Sequence, residues 1–121
     1  MTEQRPVLVV DDDPALREVI QWSLVDEGYP VVTAGNGVEA LERVHEGQPL
    51  LILLDMRMPI MDGWGFARAY REQPGAHAPI VVITAARDAA EWAQQVDAAG
   101  FLAKPFAIED LLDTVKRQAE A

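Results

Sequence analysis

Five short apolar runs, each followed by a stretch with helical spacing, constrain the fold of this chain more than any other feature. The runs are rich in Val, Ile and Leu, and they cover residues 6–10, 31–34, 50–54, 80–84 and 100–103. Most are continuous instead of alternating, which is typical of strands that are covered on both faces of a parallel sheet. Because Pro30 precedes the second run, and proline is tolerated only at a sheet edge or a strand start, we place that strand at an edge.

Helix-end signals predict a helix after each strand. Asp13 is a suitable cap for the first helix, Pro14 suits its first position, and Gly28 ends it. Asn36 caps the second helix and Gly47 follows its end, while the remaining helices are expected at 64–72, 88–99 and 108–119. The apolar positions expected to face the core are Leu16, Val19, Ile20 and Leu24, then Val38, Leu41 and Val44, then Leu111, Leu112 and Val115.

The alternation of strands and helices predicts an α/β fold. We expect a flavodoxin-like (βα)5 doubly wound open parallel sheet with strand order 2-1-3-4-5, in which the edge strand is the second. A chain of 121 residues suits one core, so residues 1–121 are expected to form a single domain. In such sheets the functional sites lie beyond the carboxyl ends of the strands.

Composition excludes several classes of function. Asp and Glu number 20 against 10 Lys and Arg, a formal net charge of −10 that argues against direct nucleic-acid binding. No apolar run is long enough to span a membrane, and residues 1–6 are too polar for a secretory signal. The chain has no cysteine for a disulfide or a thiolate metal site. We therefore expect a cytoplasmic protein without membrane association.

Polar side chains stand where four of the predicted strands end. They are Asp11, Asp12, Asp13, Asp55, Thr84 and Lys104. Since the ends of neighbouring parallel strands are only about 5 Å apart, these groups should share one shallow depression. Converging carboxylates repel one another unless a cation lies among them, and carboxylate oxygens at an open site suit Mg²⁺. Asp13 is better explained as a helix cap, because a proline follows it.

Asp55 is the candidate nucleophile of this depression. A carboxylate beside a metal ion can attack phosphorus to form an acyl phosphate, and the transferred group then needs nearby cations and hydrogen-bond donors. Lys104 and the Thr84 hydroxyl are placed to provide them. The alternative interpretation of Asp55 is a turn residue at a strand end. Taken singly, Thr84 is better explained as a β-branched strand residue and Lys104 as a solvated charge. Taken as a set, the three residues favour the functional interpretation.

Four sets of motif residues together resemble the receiver domain of two-component response regulators. They are residues 9–13 (VVDDD), 53–59 (LLDMRMP) with 61–63 (MDG), 83–85 (ITA) and 104–106 (KPF), and the resemblance spans about residues 7–116. It implies that Asp55 accepts a phosphoryl group from the phosphohistidine of a sensor histidine kinase or a histidine phosphotransfer protein. It also implies Mg²⁺ ligation by Asp12, Asp55 and the backbone carbonyl of Arg57, with Asp11 acting through a water.

The resemblance further implies a phosphorylation switch. Thr84 and Lys104 would bind the phosphoryl oxygens, and the peptide bond between Lys104 and Pro105 would be cis. Thr84 would then move toward the phosphoryl group and Phe101 would turn inward, which changes the surface of helix four, strand five and helix five. That surface would serve an output domain or a downstream protein. Such a domain is not a turnover enzyme, because it catalyses only its own phosphorylation and dephosphorylation at Asp55.

Two other functions are compatible with parts of this pattern. A receiver-like docking module that works without phosphorylation would keep the same fold and the same motifs. A haloacid-dehalogenase-like phosphotransferase would need a second aspartate two residues after the nucleophile, where this chain has Arg57. Phe101 could also be a static core residue, and we expect Trp22 and Trp92 to be partly buried, as tryptophan usually is.

Overall fold

A five-stranded parallel sheet with two helices on one face and three on the other forms the structure, a computed structural model that describes residues 4–120. The strands are β1 (Val7–Val10), β2 (Val31–Ala34), β3 (Leu51–Asp55), β4 (Ile80–Ala85) and β5 (Gly100–Lys104). The helices are α1 (Pro14–Asp26), α2 (Gly37–Glu46), α3 (Gly63–Glu72), α4 (Ala89–Gln95) and α5 (Ile108–Glu120). Residues 1–3 and 121, the two ends of the predicted domain, lie outside the described residues.

The strand order β2-β1-β3-β4-β5 confirms the predicted flavodoxin-like topology. All four strand pairs are parallel, and β2 lies at the edge as its leading Pro30 indicated. Along each central strand, successive side chains point to opposite faces and both faces are buried. One set of side chains, which includes Val9, Leu53 and Ile83, packs with α1 and α5, and the other packs with α2, α3 and α4. Two covered faces explain the continuous apolar runs.

The ends of the helices follow the predicted signals except in α4. Asp13 caps α1 by accepting hydrogen bonds from the backbone N–H groups of Ala15 and Leu16 at 3.0 and 3.3 Å. The prediction of 88–99 for the fourth helix was too long, since α4 has 7 residues. Asp97 adopts a left-handed φ of 52°, and the backbone N–H of Ala99 already donates to Ile80 in the sheet. Among the described residues, no helix combines the length and the apolar character needed to cross a membrane.

Three of the burial predictions were wrong. Val19 is 48 % exposed and Val38 is 43 % exposed, although both were assigned to core-facing stripes. In α2 the buried positions are instead Gly37, Ala40 and Val44, which are spaced by three and four residues. Trp22 was expected to be partly buried, yet it is 72 % exposed on α1. Helical spacing allows more than one face, and the tertiary contacts select the face that packs.

A buried hydroxyl fixes the chain between α3 and β4. The Tyr70 side chain is fully buried, and its hydroxyl donates to the Gln48 side-chain oxygen at 2.8 Å. The same hydroxyl accepts a hydrogen bond from the backbone N–H of Ala78 at 2.7 Å. A donor and an acceptor from two separate loops therefore depend on one oxygen.

We predict that Tyr70→Phe destabilises the domain by about 1–3 kcal/mol, because it leaves the Ala78 N–H and the Gln48 amide without this partner. Urea denaturation measures the change in the free energy of unfolding. Tyr29→Phe removes a hydroxyl from a less buried side chain and should stay within about 0.5 kcal/mol of the parent protein. Equal effects of the two substitutions would contradict the prediction.

Candidate functional site

The site lies where four neighbouring strands end at the carboxyl edge of the sheet. Asp55 is the last residue of β3 and Lys104 the last residue of β5. Asp11 directly follows β1, and the register pairs Thr84 of β4 with Ala103 of β5. The predicted site residues therefore reach one edge of the sheet from four separate strands.

Lys104 joins the two buried carboxylates of this edge. Its Nζ lies 3.0 Å from Asp11 Oδ2, to which it donates a hydrogen bond, and 3.5 Å from Asp55 Oδ2. The side chains of Asp11 and Asp55 are only 1 % and 8 % exposed, whereas that of Lys104 is 28 % exposed. Buried charges require such pairing, because moving an unpaired carboxylate out of water is costly.

Three carboxylates meet at this point. Asp11, Asp12 and Asp55 each offer an oxygen, and these oxygens all lie within 4.8 Å of one another. Asp12 is exposed, so the cluster is open to solvent on one side. Three carboxylates against one ammonium group leave a net negative charge, and a set of hard oxygen donors suits a small divalent cation such as Mg²⁺.

Asp11 is held in place by its own loop. Its Oδ1 accepts a hydrogen bond from the backbone N–H of Asp13 at 2.9 Å, which directs the other carboxylate oxygen at Lys104. Arg17 of α1 donates through Nη1 to the Asp11 carbonyl at 2.7 Å. Arg17 was not among the predicted site residues. The available signal was its spacing, since a residue one turn after the cap Asp13 lies beside the strand end.

A glycine allows α3 to begin directly behind Asp55. The backbone N–H of Gly63 donates to the Met56 carbonyl at 2.9 Å. A Cβ at position 63 would lie 2.7 Å from Met56 Cα and 2.9 Å from the Asp55 carbonyl oxygen, distances that real side chains do not adopt. Asp62 caps α3 by accepting from the Gly65 N–H at 2.8 Å. These contacts explain the motif at residues 61–63, which holds the start of α3 against the end of β3.

Burial and charge alter the acidity of the central pair. Burial, and next the neighbouring Asp11 carboxylate, raise the pKa of Asp55 from 3.8 to about 6, while Lys104 and the backbone N–H of Arg57 counteract this increase. Burial alone would lower the pKa of Lys104. The charge and hydrogen bond of Asp11 outweigh that effect, together with Asp55, and raise the Lys104 pKa above 10.5. Near neutral pH the site therefore holds a carboxylate and an ammonium group in contact.

The two residues assigned to a switch lie at different depths. Thr84 is 4 % exposed and lies one residue before the end of β4, so its side chain is buried at this edge of the sheet. Phe101 is 48 % exposed on β5, which excludes the alternative of a static core residue in this structure. The peptide bond between Lys104 and Pro105 is cis, as the resemblance implied.

A protein-family model, the response regulator receiver domain, matches residues 7–116. The chain belongs to the response regulator receiver domain family. The response regulator MprA of Mycobacterium leprae (strain TN) is 42 % identical over 112 residues, which cover 91 % of this chain and 49 % of that protein. The chain thus spans about half the length of the curated relatives that it matches. Receiver domains are signalling modules of two-component systems.

Solved receiver structures agree with this fold. The chemotaxis response regulator CheY4 of Vibrio cholerae has a TM-score of 0.86 and 35 % sequence identity, covering 96 % of this chain and 99 % of that one. The response regulator TrrA of Thermotoga maritima, in complex with Mg²⁺ and BeF, has a TM-score of 0.82 and 32 % identity, covering 95 % and 99 %. The acidic cluster of this chain is of the kind that binds Mg²⁺ in receiver domains.

We predict that Asp55→Asn stabilises the metal-free domain at pH 7.5 by about 1–3 kcal/mol. The folded-state pKa of about 6 exceeds the ordinary value of 3.8, so the unfolded chain loses its proton first as the pH rises. Stability therefore falls between about pH 4 and pH 6, and this loss persists above pH 6. Asparagine does not titrate, so the variant does not undergo this loss of stability. Chemical denaturation in EDTA at several pH values measures the difference.

The control for Asp55→Asn is Asp113→Asn, which removes one carboxylate from an exposed position of α5. It accounts for the general benefit of reducing the negative charge of an acidic protein. The gain of Asp55→Asn should exceed that of the control at pH 7.5 and disappear at pH 4. Equal gains, or a gain that persists at pH 4, would show that the Asp55 carboxylate is not destabilised by burial.

Proposed function

We propose that this domain is the phospho-acceptor switch of a two-component phosphorelay and that Asp55 receives the phosphoryl group. One observation carries the proposal: Lys104 lies in contact with the buried carboxylates of both Asp11 and Asp55, at an acidic cluster open to solvent. Such a site holds an ionised nucleophile beside a fixed cation, which the transfer of a negatively charged group requires.

Mg²⁺ is the cofactor of this proposal. Asp12 and Asp55 would ligate it directly, Arg57 would contribute its backbone carbonyl, and Asp11 would act through a water. The donor set supports this assignment, because three carboxylate oxygens lie within 4.8 Å of one another and the exposed Asp12 leaves room for water ligands. When bound, the ion neutralises charge that develops on the phosphoryl oxygens.

The residues of the chain account for the transfer itself. An Asp55 carboxylate oxygen attacks the phosphorus of a partner's phosphohistidine, and a new P–O bond forms as the P–N bond breaks. The electron pair of the broken bond stays on the imidazole of the partner. Lys104 donates from its ammonium group to a phosphoryl oxygen, and the Thr84 hydroxyl donates to another. The partner is a sensor histidine kinase or a histidine phosphotransfer protein.

The output of the switch is a surface change on α4, β5 and α5. The Thr84 side chain would move toward the phosphoryl group, and Phe101 would turn inward into the space that this movement opens. The half-exposed position of Phe101 supports this assignment, because a ring that is not yet buried can still turn inward. An output domain or a downstream protein would bind the changed surface. Such a domain acts in the cytoplasm and catalyses only its own phosphorylation and dephosphorylation.

We predict that incubation with a small phosphodonor such as acetyl phosphate adds one phosphoryl group to the protein only when Mg²⁺ is present. Asp55→Asn should abolish the gain, because an amide cannot form the acyl phosphate. Lys104→Gln should reduce the rate at least tenfold, because it removes the fixed cation. Intact-protein mass spectrometry measures the stoichiometry and the time course.

Asp62→Asn is the matched control, because asparagine keeps the α3 cap while removing one carboxylate close to the site. It should be phosphorylated as the parent protein is. No mass gain in the parent, under conditions that modify another receiver domain, would refute the phospho-acceptor role. The domain would then be a docking module that works without phosphorylation.

A further inference from the structure

Arg57 contacts the candidate acceptor through its backbone and helix α4 through its side chain. Its backbone N–H faces the Asp55 carboxylate and lowers the pKa of that group. Its guanidinium carbon lies 5.2 Å from the ring centroid of Trp92, within the range of a cation–π interaction. Within residues 4–120, no carboxylate is at salt-bridge distance from Arg57. Arg57 is exposed to solvent, and the Trp92 ring is the aromatic group that its guanidinium contacts.

The Trp92 ring is part of a contact between α3 and α4. It packs edge-to-face on Trp64 of α3, with the ring centroids 4.8 Å apart. The Trp64 indole N–H also donates a hydrogen bond, at 2.8 Å, to the side-chain oxygen of Gln95, which is a residue of α4. Arg57 thus covers the end of an aromatic pair that connects the two helices.

Helix α4 is short and has no side-chain cap. It has 7 residues, and Asp88 at its start forms no side-chain cap hydrogen bond. Its far end is held firmly, because Arg71 of α3 donates to the backbone carbonyls of Val96 and Asp97. Among the described residues, the amino-terminal part of α4, up to Trp92, has no comparable side-chain hydrogen bond, although Ala89 is buried.

We propose that the Arg57 guanidinium exchanges Trp92 for the phosphoryl group when Asp55 is phosphorylated, and that this exchange releases the amino-terminal part of α4. The inference rests on the phospho-acceptor role proposed above. A phosphoryl group adds nearly two negative charges two residues from Arg57. Guanidinium–phosphate pairs form charge-assisted, often bidentate hydrogen bonds, which are typically stronger than a cation–π contact such as the one to the partly buried Trp92 ring. In this exchange the guanidinium leaves the Trp92 ring as it turns its N–H groups to the phosphoryl oxygens, so Trp92 loses its cation.

Nuclear magnetic resonance of the indole N–H groups tests this exchange directly. The chain has three tryptophans, and Trp22 is exposed on α1, away from the α3–α4 contact, so it serves as an internal reference. Beryllium fluoride with Mg²⁺ is the probe that stands in for the phosphoryl group. Occupancy of the site is read independently from the backbone amide signals of Thr84 and Ala85.

We predict three results in the parent protein and in Arg57→Gln. The probe shifts the Trp92 indole signal of the parent protein. Arg57→Gln alone shifts that signal in the same direction, because it also removes the cation from the ring. In the variant, the probe then moves the Trp92 signal by no more than half of the parent response, while the amides of Thr84 and Ala85 still show an occupied site.

Arg87→Gln is the matched control, since it removes an exposed positive charge from the loop that leads into α4. Its Trp92 response should equal that of the parent. A full Trp92 response in Arg57→Gln, at an occupied site, would overturn the exchange while the phospho-acceptor role stands. Unmoved amide signals of Thr84 and Ala85 in the parent protein would instead refute the phospho-acceptor role, and the exchange with it.

Discussion

The contact of one ammonium group with two buried carboxylates is the interaction on which the rest of the site depends. Lys104 Nζ lies 3.0 Å from Asp11 and 3.5 Å from Asp55, and neither carboxylate has more than marginal access to water. One positive charge cannot balance these two carboxylates and the neighbouring Asp12. The site therefore keeps a net negative charge that attracts cations, and it also presents a fixed ammonium group to anions. This combination suits the transfer of a negatively charged group with the help of a metal ion.

The sheet makes this arrangement rigid. Each central strand is apolar on both faces, and each face packs in a separate core. Because both cores are close-packed, the strand ends and the site residues on them have fixed positions. Local contacts complete the positioning: the Asp13 N–H orients the Asp11 carboxylate, and Gly63 lets α3 begin against the end of β3. In contrast, α4 is short and weakly capped, which makes it the helix best suited to move.

The topology and the site residues were predictable from sequence because they depend on strong local signals. Five continuous apolar runs determine a parallel sheet, and the residues that follow them must then gather at one edge. The length of α4 was not predictable, because it ends where the backbone of Ala99 enters the sheet. The exposure of Val19 and Trp22 also depends on which face of α1 packs. The Arg57–Trp92 contact joins residues 35 positions apart, and no local pattern indicates it.

A crystal structure of the domain with Mn²⁺ and beryllium fluoride tests the central claim most directly. Anomalous scattering locates the metal ion independently of the protein model. We predict metal density among Asp12, Asp55 and the Arg57 carbonyl, with beryllium fluoride on an Asp55 oxygen in contact with Lys104 and Thr84. A metal bound elsewhere, or beryllium fluoride bound without contact to Lys104, would contradict this prediction.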